Sequence, residues 1–139
     1  MTVRSFFDTN VLAYTDDKAA SAKQRRALDL VAEHRSAGTG VISLQVLQEY
    51  FVTATRKLRV DPATARRKTE LLAEFHVVIP EFADVLAAID LHRLHGLSFW
   101  DALVIRAATQ AGCQVLLSED FQTAREIDGL VIVNPFRPA

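Results

Sequence analysis

Apolar residues recur along the chain in two alternating rhythms: short unbroken runs, and longer stretches with helical spacing. Ser5-Phe6-Phe7 reads as a first strand. Residues 19–35 carry Ala27, Leu28, Leu30 and Val31 on one side and read as a helix, which Gly38-Thr39-Gly40 breaks. Val41-Ile42 is a second short strand. Ser43 is placed to cap a helix running from Leu44 to about Leu58. Asp61-Pro62 begins the next helix, with Asp as the cap and Pro at the first helical position. Residues 76–79 form a strand ended by Pro80. Residues 81–95 and 98–111 are helices stopped by Gly96 and Gly112. Residues 114–117 and 130–133 are the last strands.

Strands alternating with helices predict a mostly parallel sheet covered on both faces. The Val/Ile/Leu-rich strands suit that burial. Ligands of such sheets sit beyond the carboxyl ends of the strands, which directs attention to the residues just after each apolar run.

Composition narrows the class. The 139 residues are half apolar, enough for the core of a single domain spanning 1–139. No apolar run approaches the roughly 18 residues of a membrane span. The start of the chain meets Asp8 without a long apolar stretch, so no secretory signal is expected. One cysteine, Cys113, rules out an intramolecular disulfide, and a cytoplasmic location is the expectation. Net charge is −1, but it is unevenly spread. Residues 18–68 hold eleven Lys/Arg against four Asp/Glu, a net of +7; the remainder holds five against thirteen, a net of −8. Such asymmetry suggests an anionic partner for the basic part.

Three acids fall where that rule points or in an apolar setting. Asp8 directly follows Phe6-Phe7, and Asp120 follows Val115-Leu116-Leu117 after Ser118 and Glu119. Acids after strands also serve as caps, and Asp8-Thr9-Asn10 has the look of a helix start. Asp101 stands in Phe99-Trp100-Asp101-Ala102-Leu103-Val104-Ile105, where the only other charge before Ala111 is Arg106. A carboxylate carried into so apolar a helix needs a partner. Ser98-Phe-Trp-Asp101 also matches a capping box, so two roles compete for this carboxylate, and the metal role is favoured. Glu49 lies roughly opposite an apolar stripe of Leu44, Leu47, Tyr50, Phe51, Ala54 and Leu58, so periodicity places it on the surface. Trp100, Tyr50 and Phe51 are expected in the core. Clustered carboxylates repel one another, and a divalent cation removes that repulsion. Hard oxygen donors without His or Cys select Mg²⁺ or Mn²⁺. Such an ion can activate water against a phosphodiester.

Four segments in order carry a family resemblance: Phe7-Asp8-Thr9-Asn10-Val11-Leu12, Ser43-Leu44-Gln45-Val46-Leu47-Gln48-Glu49, Leu97-Ser98-Phe99-Trp100-Asp101-Ala102-Leu103 and Leu116-Leu117-Ser118-Glu119-Asp120-Phe121. With them the chain resembles PIN-domain proteins of the VapC toxin ribonuclease type over nearly its whole length. The resemblance implies a three-layer α/β/α sandwich with a mostly parallel central sheet. It implies Mg²⁺- or Mn²⁺-dependent cleavage of single-stranded RNA. It assigns Asp8, Glu49, Asp101 and Asp120 as the acidic quartet, with Asp8 and Asp101 as direct ligands. Thr9, Asn10 and Ser118 would hydrogen-bond these carboxylates, and Glu119 stands where it could replace Asp120. The implied partners are RNA, a cognate antitoxin protein and a second copy in a homodimer.

Other chemistry is less well supported. His92 and His95 are three apart but have no third ligand, and Cys113 has no neighbouring His. No glycine-rich phosphate loop or nucleophile elbow appears. Two alternatives remain. A non-catalytic RNA-binding module predicts binding that persists in EDTA without cleavage. A receiver-like phosphoacceptor domain is suggested by Asp16-Asp17, but the late strand lacks the lysine that such domains need.

Overall fold

A computed structural model describes residues 2–121 and 126–137. In chain order the elements are β1 (Ser5–Phe7), α1 (Thr9–Tyr14), α2 (Ser21–Ala37), β2 (Gly40–Ser43), α3 (Leu44–Arg56), α4 (Pro62–Leu72), β3 (His76–Val78), α5 (Phe82–His95), α6 (Phe99–Gln110), β4 (Val115–Leu117), β5 (Glu126–Ile127) and β6 (Leu130–Val133). The helix boundaries follow local chemistry. Ser43 caps α3 by accepting from the Val46 amide, and Asp61 caps α4 with Pro62 at its first position. Gly38 and Gly96 end α2 and α5 in the left-handed conformation that glycine adopts at least cost.

The six strands form one sheet in the order β3-β2-β1-β4-β6-β5. All neighbours are parallel except β5, which pairs antiparallel with β6. Helices cover this sheet to give the three-layer sandwich. The core runs through β1, β2 and β4 with both faces occupied: Phe6, Phe7, Val41, Ile42 and Leu116 are fully buried, and Val11, Leu12, Val46, Tyr50 and Ile105 pack around them. Continuous apolar strands are the signature of that two-sided burial.

Two elements escape the sequence pattern. α1 is six residues long, too short for periodicity to register. β5 is two residues long and joins β6 through Asp128-Gly129, both with positive φ (52° and 84°). That is the two-residue hairpin turn for which Asp-Gly is the local signal.

Cys113 is buried as expected, and that burial pushes its thiol up to about 11, Arg4 opposing. A shift from 9 to about 11 cuts the thiolate fraction at pH 8 about a hundredfold. Iodoacetamide should therefore label the native protein at least that much more slowly than the urea-unfolded chain. Equal rates by mass spectrometry would show that the thiol is accessible.

Candidate active site

β1 is flanked by β2 on one side and by β4 on the other, so the chain's winding reverses across the β1–β4 pair. At such a switch point the loops after the two strands part and leave a crevice. Asp8 follows β1 and Ser118-Glu119-Asp120 follow β4, so both segments line this crevice. Backbone bonds fix them: the Asp8 amide donates to Leu117 O (3.0 Å) and the Ser118 amide to Val133 O (3.0 Å).

Asp8 is 7% exposed and is also the cap of α1, so the two readings of this residue coexist. Its Oδ1 accepts from the Thr9 amide (2.8 Å) and its Oδ2 from the Ser118 hydroxyl (2.7 Å). Burial pushes its carboxyl up to about 6; the Ser118 and Thr9 bonds oppose the rise, and the charges of Asp101 and Glu49 add to it. Asn10 differs from expectation. Its amide donates to Ser118 Oγ (3.2 Å) and accepts from the Glu119 amide (3.1 Å), so it stitches the β4 loop to α1 rather than bonding a quartet carboxylate.

Glu49 is half-buried, not a surface residue. Its Oε1 accepts from the Thr9 hydroxyl (2.7 Å) and its Oε2 from Gln45 Nε2 (3.2 Å). Periodicity misplaces it because the apolar stripe of α3 reports only contact with the core. The α3 flank carrying Glu49 meets the start of α1, and no apolar spacing records that contact. The stripe itself is rotated: Val46, Leu47, Tyr50 and Ala54 are buried, whereas Leu44 and Phe51 are exposed. Gln45 is not singled out by the sequence pattern, although its place one turn before Glu49 is a legible signal. It also reaches the backbone oxygen of Trp100 (3.4 Å), tying α3 to the start of α6.

Asp101 sits in the first turn of α6, half-buried. Ser98 caps this helix by accepting from the Asp101 amide (3.1 Å). The reciprocal bond that completes a capping box is made on α5, where Asp84 returns to the Glu81 amide, but is not made by Asp101. The Asp101 carboxylate is thus not spent on the Ser98 amide. Burial raises it, the Ser98 hydroxyl opposes, and the charges of Asp120 and Glu49 raise it further. Its neighbour Trp100 is 61% exposed, correcting its expected place in the core. At the first turn of a helix that enters the core only from Ala102 onward, the indole stays outside.

Asp120 is exposed in the loop after β4, its amide donating to Ser118 Oγ (3.2 Å). Glu119 is committed elsewhere: it accepts from Lys23 (2.5 Å) and from the Tyr14 hydroxyl (2.6 Å). Burial raises its carboxyl, but Lys23 and Tyr14 outweigh this and hold it below the usual range. It is therefore a poor substitute for Asp120. Among the described residues, four of the eleven basic residues in 18–68 are in ion pairs: Lys23 with Glu119, Arg35 with Glu74, Arg66 with Glu70 and Lys68 with Asp16. Lys57 instead lines an open cavity of about 310 Å³ beside the carboxylates, together with Thr9, Asn10, Tyr14, Thr53 and Asp120.

The four acids are thus placed by β1, α3, α6 and β4. Asp8 and Asp101 each feel Glu49, Asp8 feels Asp101, and Asp101 feels Asp120. None is in an ion pair among the described residues. Nor do three or more His, Cys, Asp or Glu among those residues close on a point as a ready-made metal cage. The donor chemistry suits a hard divalent cation: every candidate donor is a carboxylate oxygen, and one carboxylate is buried without a cation to offset it.

The fold and this rim of acids together define an α/β domain with an acidic site at a topological switch point. The sequence profile of the PIN domain matches residues 5–130, and the chain belongs to the PIN domain family. Among solved structures it is similar to VapC20 of Mycobacterium tuberculosis, described as a sarcin-ricin loop cleaving toxin. That match has 22% identity and a TM-score of 0.70, and covers 85% of this chain and 91% of that one. It is also similar to a chain of a toxin–antitoxin complex from Klebsiella pneumoniae, with 20% identity and a TM-score of 0.70, covering 96% and 99%. No curated protein sequence matches the chain significantly. No helix among the described residues is long and apolar enough to cross a membrane.

Proposed function

We propose that this protein is a Mg²⁺- or Mn²⁺-dependent endoribonuclease acting on single-stranded RNA, and the toxin of a type II toxin–antitoxin pair. The observation that carries the reading is Asp8: a nearly buried carboxylate at the switch point, raised by burial with two neighbouring acids adding to the rise, and paired with no cation among the described residues. A divalent cation would offset that charge. Asp8 and Asp101 would hold it directly, with Glu49 and Asp120 completing the shell through water or a second ion. The chemistry such an ion would supply is neutralisation of phosphate charge and activation of a water for in-line displacement. The chain's own part is positioning. The Thr9 amide and Ser118 hydroxyl aim Asp8, and the Thr9 hydroxyl and Gln45 amide aim Glu49. A neighbouring carboxylate takes the proton of the attacking water, the bond between phosphorus and the 3′ oxygen breaks, and that oxygen takes a proton from solvent, leaving 5′-phosphate and 3′-hydroxyl ends.

The likeness to a toxin and to a chain of a toxin–antitoxin complex supports a cognate antitoxin as partner. An exposed apolar strip on α5, with Phe82, Leu86 and Ile89 spaced along one side, supports a homodimer.

Labelled single-stranded RNA is the test. Cleavage should appear with Mg²⁺ or Mn²⁺, vanish in EDTA, and fall at least a hundredfold in Asp101→Asn, whose circular dichroism should match wild type. Cutting by Asp101→Asn at the wild-type rate would remove that residue from the site. RNA binding without cutting in any divalent ion would favour the non-catalytic alternative.

A further inference from the structure

Among the described residues, the cavity beside the carboxylates has one cation in its lining, Lys57. Its other charged lining residues are acids, Asp17, Glu119 and Asp120, and Glu119 is already bonded to Lys23 and Tyr14. The space is continuous with the proposed catalytic rim, since Thr9, Asn10 and Asp120 line both. It opens to solvent and its volume of about 310 Å³ is in the range of a small-ligand site. Lys57 caps the C-terminal end of α3, eight residues beyond Glu49, which sets it about 12 Å along the helix axis. Thr53 lies midway and also lines the cavity. Lys57 is exposed and has no ion-pair partner among the described residues, unlike Lys23, Arg35, Arg66 and Lys68.

A substrate phosphate entering a ring of acids meets repulsion everywhere except at the bound ion and at a cation on the wall. A polyanion lying across the rim needs charge neutralised beyond the scissile position, at a distance of more than one side chain. Lys57 is the group in this cavity that can supply it.

We propose that this cavity seats the nucleotide neighbouring the scissile phosphate and that the Lys57 ammonium binds that nucleotide's phosphate, making Lys57 a positioning residue for an RNA strand. This rests on the nuclease reading above for the direction of the strand, but not for the binding itself.

The test uses the full chain and an unstructured, mixed-sequence, fluorescein-labelled 12-nucleotide RNA. Two readouts are taken: Mg²⁺-dependent cleavage, and fluorescence anisotropy with the Asp101→Asn protein in Mg²⁺. Lys57→Ala should raise KM and the dissociation constant about five- to tenfold, the scale of one charge-assisted contact, with kcat retained. It should also lower the slope of log affinity against log salt by about 0.7, the value for one phosphate of a single strand. Lys57→Arg should restore most of the loss. If wild type cuts but Lys57→Ala keeps its KM and salt slope, the subsite is wrong and the nuclease stands. If nothing cuts but binding depends on Lys57 as described, the nuclease is wrong and the subsite stands. Absence of both cutting and binding removes both. A Lys57→Ala protein with lowered kcat at unchanged KM, or with a depressed melting temperature, also overturns the proposal.

Discussion

Asp8→Asn is expected to abolish RNA cleavage while raising the melting temperature of the metal-free protein. The two effects have one cause. Asp8 is 7% exposed, and its burial together with Asp101 and Glu49 pushes its carboxyl up from 3.8 to about 6. About two pKa units at 1.36 kcal/mol each correspond to roughly 3 kcal/mol against the ionised form in the fold. The folded chain holds a proton that the unfolded chain releases, so the contribution of Asp8 to stability is most favourable below pH 4 and falls as pH rises from about 4 to about 6. An asparagine keeps the acceptor for the Thr9 amide and removes the charge; its Nδ2 cannot accept from the Ser118 hydroxyl, a loss of about 1 kcal/mol that is smaller than the charge penalty it relieves. Relative to wild type, Asp8→Asn should therefore gain stability progressively across that window and hold the gain at pH 7. Adding Mg²⁺ reverses the comparison. An ion bound only by the folded state raises the wild-type melting temperature and leaves the variant unmoved. Calorimetry of both proteins from pH 4 to 7, with and without Mg²⁺, reads all of this. A variant that melts below wild type at pH 7 without metal would show that Asp8 is not a destabilising charge.

Gly40→Val should be the most damaging substitution away from the site. Gly40 opens β2 and pairs with Ser5 of β1. A Cβ there would stand 2.7 Å from two ring carbons of Phe75. Phe75 is buried and packs on Phe7 with ring centroids 5.3 Å apart, so the ring cannot swing into solvent. Overpacking of this kind costs about 1–3 kcal/mol for modest insertions, and a branched side chain belongs at or above the upper end. A fall in melting temperature of about 10 °C is expected. A variant that melts within about 2 °C of wild type would mean that Phe75 repacks freely.

Most of the fold is legible in the sequence because its central strands are buried on both faces and its two longest helices, α2 and α5, end in glycine. Ser43, Asp61, Gly38 and Gly96 act as the sequence suggests. The rims of strands β1 and β4 are legible for the same reason, so the ends of two apolar runs are enough to mark Asp8 and Asp120 as candidates. Three features are not legible. Glu49 owes its burial to contact between helices, and apolar spacing registers only contact with the sheet. Trp100 and Phe51 are apolar yet exposed, because chemistry alone does not say which side of a helix faces the core. The engagement of Glu119 by Lys23 and Tyr14 joins residues about a hundred positions apart, a pairing that no local pattern encodes.

The sheet's two margins have a further consequence. One ends in β5, two residues among those described, running backwards through an Asp-Gly turn, and the other in β3, three residues followed at once by Ile79-Pro80. Long flat edges invite neighbouring chains to add strands without limit, and short or proline-stopped edges do not. With both margins blunted, α5 can display Phe82, Leu86 and Ile89 to a partner while the protein stays guarded against fibril-like stacking.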